Sequence, residues 1–301
     1  MVKAATRRID GILPLDKPAG VGSNAVLQHV KRLFGAARAG HTGTLDPMAS
    51  GLLIICFGEA TKFSAELLNA PKSYRARLTL GVRTSTGDAE GEVLEERPVQ
   101  VEDKEIEPVL DRFRGEILQV PPMHSALKRA GRPLYFYARR GETLDREPRA
   151  VTLYSLELLG RDGAQIDLAI RCSKGTYVRA LAEDLGAAWR CGAHLSGLIR
   201  TAMGDFSLEQ AVTVDAIAAL PPLERGRLLM PSDAILVRYP EVALGMDDEL
   251  RFRHGQQVAG RLEVTGLVRV YGARRTFLGT GWSDALGGLK PKRVLVEEAR
   301  P

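Results

Sequence analysis

One segment of the chain concentrates residue types that can do chemistry. Between Gly40 and Gly51 the sequence reads GHTGTLDPMASG, which places a histidine, a carboxylate and several hydroxyls among three glycines. Pro47 biases Asp46 away from the helical region, so the carboxylate is expected in an extended conformation on a loop. A carboxylate held in this way is a candidate nucleophile or general base. The alternative is an Asp-Pro turn in which the side chain bonds to the backbone.

Several other kinds of chemistry lack their sequence motifs. The chain has no phosphate-binding G-x-x-x-x-G-K-[ST] motif and no G-x-S-x-G motif. Its five histidines are scattered, and none has a second histidine four residues away. The three cysteines, Cys56, Cys172 and Cys191, form no C-x-x-C pair, so neither a disulfide framework nor a structural zinc is expected. We therefore expect an activity that uses no metal and no cofactor.

Neither a membrane span nor a secretory leader is visible in the sequence. The longest apolar run, residues 52–57, is far shorter than the roughly 20 residues that a spanning helix needs. The basic stretch 1–8 is followed by only a short apolar segment, 11–15, before charged residues resume. The protein is therefore predicted to be soluble and cytoplasmic.

The composition favours a nucleic-acid partner. The 301 residues carry a net charge of +5 and a pI near 9.2, and 32 of the 42 basic residues are arginines. Arginine offers a rigid fork of donors that suits phosphate, and its guanidinium stacks on bases. A compositional bias of the genome would produce the same excess, so the distribution of charge along the chain matters more.

A basic segment at 119–149 is a candidate RNA-binding flap. It holds seven basic and three acidic residues, whereas residues 82–112 hold four basic and ten acidic ones. Tyr135, Phe136 and Tyr137 lie among the charges, a pattern that suits contact with a phosphate backbone and with unpaired bases. The alternative is an amphipathic helix over 133–140 whose aromatic residues are core. The flap residues predicted to bind RNA are Lys128, Arg129, Arg132 and Arg140.

Hydrophobic periodicity predicts an α+β fold with a mixed, mostly antiparallel sheet and flanking helices. Helices are predicted over 23–34, 59–69 and 177–189, and strands over 12–15, 52–57, 72–82, 151–159, 165–172 and 195–200. The strand at 72–82 alternates apolar and basic positions, which indicates a half-buried strand with one basic face. Residues 39–51 show no periodicity and are predicted to form a loop.

A second, smaller domain is predicted at the C-terminus. Pro221, Pro222, Pro231 and Pro240 punctuate a connecting region. Short apolar runs with frequent glycines follow it, as is typical of a small β-barrel or sandwich. These runs are 262–264, 267–271, 277–281 and 294–296. We therefore expect one domain over 1–230 and another over 231–301.

The sequence resembles the TruB family of tRNA pseudouridine synthases, of the bacterial type, from residue 10 to about 200. The motifs that carry the resemblance follow one another in order: 15–20 (LDKPAG), 40–51, 58–62 (GEATK), Tyr74 and 173–179 (SKGTYVR). The C-terminal part is similar to the family's small RNA-binding PUA domain. The resemblance implies isomerisation of the T-loop uridine at tRNA position 55 to pseudouridine, with tRNA as the partner and no cofactor.

The resemblance also implies roles for individual residues. Asp46 is the nucleophile that acts at the sugar–base junction after the base is flipped out of the loop, and Arg179 is its cationic partner. The sequence is compatible with attack by Asp46 on the ribose, with attack on the base, and with Asp46 acting as a base at the ribose. Tyr74 stacks on the flipped uracil, with its hydroxyl where a proton must leave the base carbon. From the residues alone, Tyr74 could equally be a core residue of its strand, and Arg179 a surface residue on a helix.

Four further residues are predicted to bind substrate on the same grounds. Tyr177 contacts the base, Leu198 forms an apolar floor under it, His41 fills the gap that the flipped base leaves, and Lys62 binds a phosphate. Leu198 is equally compatible with a plain strand core, and a lone histidine is more often structural. His124 departs from the family, which usually has an aromatic residue there.

Two other functions remain compatible with the sequence. One is a non-catalytic RNA-binding or RNA-folding protein, which the presence of Asp46, Tyr74 and Arg179 disfavours. The other is a synthase inside a guide-RNA particle, which the chain's own basic flap and the lack of long basic tails disfavour. The protein is therefore expected to act as a monomer that requires no protein partner.

Overall fold

The computed structural model describes residues 7–125, 127–129, 131–259 and 263–296. The helices are α1 (Ser23–Phe34), α2 (Ser64–Leu68), α3 (Asp103–Phe113), α4 (Leu134–Ala138), α5 (Val178–Ala188), α6 (Val214–Ala219) and α7 (Met246–Arg253). The strands of the first part are β1 (Gly11–Lys17), β2 (Ala39–Thr42), β3 (Ser50–Phe57), β4 (Lys72–Leu80), β5 (Val82–Thr84), β6 (Val93–Glu96), β7 (Gly115–Gln119), β8 (Lys128–Arg129), β9 (Arg132–Pro133), β10 (Arg149–Asp162), β11 (Gln165–Cys172), β12 (Ala193–Met203), β13 (Phe206–Ser207) and β14 (Val212–Thr213). Those of the C-terminal part are β15 (Glu241–Ala243), β16 (Gly266–Tyr271), β17 (Phe277–Ser283) and β18 (Leu289–Val294).

A ten-stranded mixed sheet organises the first part of the chain. Its order is β14-β1-β3-β12-β4-β11-β10-β7, with β2 beside β3 and β13 beside β12. Within the described residues, the β1–β14 and β3–β12 pairs are parallel and the others are antiparallel. The predicted α+β class with a mostly antiparallel sheet is confirmed.

Helix α1 covers one face of this sheet because its apolar residues recur at helical spacing. Val26, Val30 and Phe34 are buried, and they pack with residues of β1 and β3. Gly35 ends the helix in the left-handed region at φ 61° and donates backbone hydrogen bonds to the last turn. The predicted bounds, 23–34, agree with the observed helix.

Helices α3 and α5 pack on the strands β4, β10 and β11 in a second core. Leu110 and Leu185 are fully buried there, together with Leu78 and Leu168. The strands predicted at 151–159 and 165–172 form the antiparallel pair β10–β11. The long predicted helix 177–189 corresponds to α5.

Two local predictions were wrong in part. Residues 39–42 form strand β2 rather than loop, because they pair with the fully buried strand β3. The helix predicted over 59–69 is a 3₁₀ helix, Gly58–Phe63, followed by the short α2. Both segments are shaped by tertiary contacts, which local periodicity does not report.

The C-terminal part forms a four-stranded sheet in the order β15-β16-β17-β18. The described residues show no closed barrel, so the predicted barrel-like closure is not observed there. Of the run predicted at 262–264, residue 262 lies outside the described residues, and 263 and 264 are not in a strand. Among the described helices none is long and apolar enough to cross a membrane.

The C-terminal sheet packs against the first part of the chain. The rings of Phe63 and Phe277 lie 5.5 Å apart, and Ile235 and Leu236 are buried beside them. Lys62 Nζ donates a hydrogen bond to the Val294 carbonyl at 2.8 Å. The two parts therefore share one apolar interface and are not joined by a linker alone.

Candidate active site

Five of the seven residues predicted to act on substrate line one cavity of about 580 Å³. These residues come from four separate elements and meet at one end of the central sheet. They are Asp46 on the β2–β3 loop, Tyr74 on β4, Tyr177 and Arg179 at the start of α5, and Leu198 on β12.

The loop that carries Asp46 is held by the chain segment around the start of α1. The Ser23 hydroxyl donates to the Leu45 carbonyl and accepts from the Leu45 amide, both at 2.8 Å. The Gly20 amide and the Lys17 ammonium both donate to the Pro47 carbonyl. These contacts fix the backbone on both sides of Asp46, whose side chain lines the cavity.

Arg179 connects the carboxylate of Asp46 to a second carboxylate. Its Nε lies 3.0 Å from Asp46 Oδ2 and 3.5 Å from Asp88 Oδ2. Its side chain is only 5% exposed, whereas that of Asp46 is 41% exposed. A buried guanidinium needs such partners, because an unpaired buried charge is strongly unfavourable. The alternative of a surface arginine is therefore wrong.

The remaining donors of Arg179 reach backbone carbonyls on two other segments. One nitrogen donates to Thr86 O at 3.1 Å and another to His124 O at 2.7 Å. His124 lies at the base of the flap and lines the cavity. Burial and the positive charge of Arg179 lower the pKa of its imidazole, which favours the neutral ring.

Tyr74 is half-buried in the cavity wall and lies opposite Arg200 on the neighbouring strand β12. Burial raises the pKa of the Tyr74 phenol, and the Arg200 guanidinium acts in the opposite direction. The phenol is therefore the neutral form at ordinary pH. Tyr74 also packs against buried residues of the neighbouring core, so both expectations for it describe part of its surroundings.

Tyr177 and Leu198 complete the cavity wall. The Gln119 side chain accepts from the Tyr177 amide at 2.7 Å and donates to its carbonyl at 3.0 Å, which ties the start of α5 to the end of β7. Tyr177 is half-buried, and burial raises the pKa of its phenol. Leu198 is 8% exposed and belongs both to the cavity lining and to the core.

His41 and Lys62 are not among the residues that line the cavity. His41 is half-buried on β2, and burial and Arg200 lower its pKa. Its Nδ1 is buried without a hydrogen-bond partner. Lys62 contacts the Glu59 carboxylate and the Val294 carbonyl at the interface with the C-terminal sheet. Their predicted contacts with substrate stay predictions.

Among the residues that line the cavity, the sequence analysis did not identify Asp88, Lys72 and Arg200. Lys72 donates to the carbonyls of Leu67, Leu68 and Ala70, and burial lowers its pKa to about 8. A signal existed for Lys72, because it is the first residue of a strand predicted to be half-buried. Asp88 lies in a polar loop and gave no signal.

The predicted flap is an excursion between two paired strands. Gln119 at the end of β7 lies opposite Arg149 at the start of β10. Lys128, Arg129, Arg132 and Arg140 are all exposed. The guanidinium of Arg132 lies 4.7 Å from the centre of the Phe136 ring, and that of Arg140 at 5.6 Å. Since Leu134 is the buried residue of α4 and Tyr135 is 41% exposed, the alternative of an aromatic core helix is wrong.

The described residues contain no group of three or more His, Cys, Asp or Glu side chains that could hold a metal ion. The cavity instead brings together an arginine-paired carboxylate, a tyrosine and an apolar wall. An exposed, basic and aromatic segment lies beside it. This combination is typical of an enzyme that acts on a base of RNA.

Family models identify the class of enzyme. The model described as TruB family pseudouridylate synthase (N terminal domain) matches residues 31–178. The model for the tRNA pseudouridylate synthase B C-terminal domain matches 179–237, and the one for pseudouridine synthase II TruB, C-terminal, matches 240–295. The protein is a pseudouridine synthase, an isomerase that acts on RNA.

Curated relatives agree over nearly the full length. Proteins named tRNA pseudouridine synthase B from Methylobacillus flagellatus and Azoarcus sp. are 49% and 50% identical, over 97% and 98% of both chains respectively. One from Burkholderia mallei is 51% identical over 99% of this chain and 97% of its own. The chain belongs to the TruB family.

Solved structures show the same fold. A crystal structure of a Cbf5-Nop10-Gar1 complex contains a chain with a TM-score of 0.71 and 27% identity, covering 96% of this chain and 84% of that one. A structure of an H/ACA RNP bound to a substrate RNA containing 2′-deoxyuridine contains another, with a TM-score of 0.71 and 23% identity over 95% and 85%.

Proposed function

We propose that this enzyme converts the T-loop uridine at position 55 of tRNA to pseudouridine, with Asp46 as the nucleophile. The observation that carries the proposal is the cavity in which Asp46, Tyr74 and Arg179 meet. The substrate class follows the curated relatives, which are named for tRNA.

The reaction requires access to the glycosidic bond of a base that is stacked in the folded loop. The nucleotide is flipped out, as enzymes that act on bases generally require. The Asp46 carboxylate attacks C1′ and forms an ester-like bond to it as the N1–C1′ bond breaks. The uracil then turns, C5 forms the new bond to C1′ as the Asp46–C1′ bond breaks, and the proton leaves C5. The contact with Arg179 at 3.0 Å aligns the carboxylate, so a loop side chain that is 41% exposed can act as a nucleophile.

The other cavity residues bind the flipped base. Tyr74 stacks on the uracil, and its side-chain oxygen accepts the proton that leaves C5. Tyr177 contacts the base from the start of α5, and Leu198 gives an apolar floor that excludes water. Stacking on an aromatic residue is worth about 1–3 kcal/mol per base. His41 is proposed to occupy the gap in the tRNA loop, and Lys62 to bind a phosphate.

The elements outside the cavity bind the rest of the tRNA. The flap, 119–149, supplies phosphate contacts through Lys128, Arg129, Arg132 and Arg140. The catalytic domain, 1–230, carries out the reaction. The PUA-like RNA-binding domain, 231–301, contributes affinity for the tRNA. The protein acts in the cytoplasm as a monomer, without a cofactor or a protein partner.

The test is chemical mapping of pseudouridine in a T-loop hairpin incubated with the purified protein alone. Modification of the position-55 uridine is expected, and a hairpin with cytidine at that position is the matched control. The similar solved chains come from assemblies, which keeps a second function open. A protein that modifies the hairpin only after a guide RNA or other proteins are added would belong to that second class.

A further inference from the structure

Arg200 is a deeply buried cation near the proposed nucleophile, and the proposed reaction assigns it no role. Its side chain is 1% exposed and is the largest fully buried one among the residues that the structure describes. It lines the same cavity as Asp46 and Tyr74. In the part of the chain that the structure describes, no carboxylate forms a salt bridge with it. Burying a guanidinium without a counter-ion is unfavourable, so other interactions must account for an arginine at this position.

The guanidinium joins the two ends of the Asp46 loop. Its Nη2 donates to the Gly43 carbonyl at 3.1 Å, and its Nε donates to the Leu52 carbonyl at 2.7 Å. Gly43 precedes Asp46 and Leu52 follows it. One side chain therefore bridges both flanks of the segment on which the nucleophile lies.

The backbone of Arg200 fixes the same loop. Arg200 pairs with Gly51 of β3 on one side and with Tyr74 of β4 on the other. The approach to Gly51 is so close that a β-carbon there would lie 2.4 Å from the Arg200 carbonyl oxygen. The spacing between the Asp46 loop and Tyr74 is thus set by the single residue between them.

Arg200 and Tyr74 are paired on neighbouring strands and both line the cavity, so the guanidinium charge acts on the Tyr74 hydroxyl and works to lower the pKa that burial raises. A cation at this place stabilises negative charge on the phenol oxygen. In a buried setting this attraction is stronger than it would be in water. A phenolate formed in passing would supply the counter-charge that Arg200 otherwise lacks.

We infer that Arg200 is a positioning residue for the isomerisation: it sets the distance between Asp46 and Tyr74 and balances the charge of a transient Tyr74 phenolate. This inference rests on the proposed function. The electron pair of the broken N1–C1′ bond stays on the uracil, and N1 takes the phenolic proton of Tyr74. After the C5–C1′ bond forms, the Tyr74 oxygen takes the proton from C5. One proton has moved from C5 to N1, and Tyr74 is a phenol again.

The inference is tested with Arg200→Met and Arg200→Lys on the T-loop hairpin under single-turnover conditions. The Met variant removes the charge, and we expect its rate to fall by at least about 100-fold, the scale of a lost general acid–base contribution, with the dissociation constant of the hairpin nearly unchanged. The Lys variant keeps the charge but has one nitrogen where the guanidinium uses two for the carbonyls of Gly43 and Leu52, so only partial recovery is expected. Arg225→Met is the matched control, because Arg225 also donates to backbone carbonyls but lies outside the cavity lining.

Two readouts separate this role from a loss of structure. In the Tyr74→Phe background, Arg200→Met should cause little further loss, because both changes disable the same step. With 5-deuterouridine at the target, the Met variant should show a larger isotope effect than the wild type, since removal of the C5 proton becomes slower. Additive rate losses with an unchanged isotope effect, or a Met variant within about threefold of wild type, would overturn the inference. A wild-type enzyme that leaves the hairpin unmodified would instead contradict the proposed function.

Discussion

At the scale of single residues, the site depends on a carboxylate that is exposed on one side and paired on the other. Asp46 is paired with Arg179 at one oxygen, while other groups, among them the Ser23 hydroxyl and the Gly20 amide, hold the backbone of the surrounding loop. Removing the negative charge from Asp46 therefore leaves the loop in place. The chemical step and RNA affinity should separate cleanly at this position.

Asp46→Asn is expected to lower the single-turnover rate by more than about 1,000-fold, roughly 4 kcal/mol of barrier, while the hairpin still binds. The reason is that an amide is no nucleophile, whereas phosphate contacts elsewhere supply affinity. Quenched single-turnover reactions measure the rate, and a binding titration on the same preparation measures the affinity for the hairpin. Asp167→Asn is the matched control, because Asp167 pairs with exposed Arg77 outside the cavity. A rate within tenfold of wild type, about 1.4 kcal/mol, would end the assignment.

The types of residue in the sequence were enough to predict about half of the residues that form this site. Asp46 could be found because Pro47 and the flanking glycines mark an unusual loop. Asp88 and Arg200 could not, since their importance lies in which groups face them across strands distant in sequence. Arg200 meets Gly43 over a separation of 157 residues. Such a contact exists only after the sheet has formed.

At the scale of elements, the Asp46 loop depends on the close packing of β3 against β12. Gly51 has φ +96°, and a β-carbon there would also lie 2.9 Å from the Arg200 amide nitrogen. Both strain and overlap with backbone atoms oppose a side chain at this position.

Gly51→Ala is therefore expected to lower the free energy of unfolding by about 2 kcal/mol or more and to slow the single-turnover rate. Chemical denaturation and the hairpin assay measure the two effects. Gly226→Ala is the control, because nothing lies within 4 Å of its would-be β-carbon and its φ is not in the left-handed region. Equal stabilities for the two variants would contradict the packing argument.

The flap is an element whose charges face solvent, so its contribution should depend on salt. Arg129→Ala, Arg132→Ala and Arg140→Ala together are expected to flatten the slope of log K against log[salt] by about two to three units if each contacts a phosphate. KM should rise far more than kcat falls, since the contacts exist before and during the chemical step. The control is a triple change at the exposed residues Arg77, Arg112 and Arg227, which lie outside the flap.

The outcome also tests the aromatic contacts of the flap. Arg132 and Arg140 both lie over Phe136, so they could stabilise the flap itself. A triple variant that melts earlier and loses kcat with an unchanged slope would contradict the phosphate contacts.

Element boundaries were predictable where one pattern dominated. Helix α1 has a regular apolar stripe and a glycine stop, and its bounds agree with prediction. Strand β2 was missed because its four residues gain their regular structure from pairing with β3. The described strands of the C-terminal part show no closed barrel for a related reason: short strands with glycines are compatible with both an open and a closed sheet.

At the scale of the whole molecule, all three cysteines are buried, and the central sheet protects two of them. Burial raises the pKa of the Cys56 thiol to about 12 and that of the Cys172 thiol to about 11. In the unfolded chain both titrate near 9. The folded state therefore keeps protons that the unfolded state releases above pH 9, and stability from these groups is lost as pH rises toward 11.

Thiol reagents at pH 8 are thus expected to react with the native protein only through global or local unfolding. In a Cys56→Ala/Cys172→Ala variant, the free energy of unfolding should fall less steeply between pH 9 and pH 11 than in the wild type. Taking the difference between the two proteins cancels the opposite trend of Lys72, whose pKa burial lowers. Parallel curves would contradict the protonation argument.

The final prediction concerns how the C-terminal sheet is joined to the catalytic part. Lys62 donates to the Val294 carbonyl and pairs with Glu59, and the Glu59 carboxylate in turn accepts from the Val296 amide. The Lys62 ammonium group thus makes two contacts at an interface between two parts of the chain. The sequence predicts instead that it binds a phosphate. A neutral side chain at this position should change the stability of the protein in the first case and the salt dependence of RNA binding in the second.

Lys62→Met separates these roles. If Lys62 binds phosphate, the salt slope should flatten by about one unit with the melting temperature nearly unchanged. If it joins the two parts, the melting temperature should fall and the slope should stay the same. Since Lys62 is proposed to bind a phosphate and also contacts Glu59 and Val294, we expect both a flatter slope and a lower melting temperature. Glu59→Gln is the matched control, because it weakens the same interface without removing a cation. If both variants melt earlier and keep the wild-type slope, the C-terminal sheet is held in place through Lys62 and the phosphate contact is excluded.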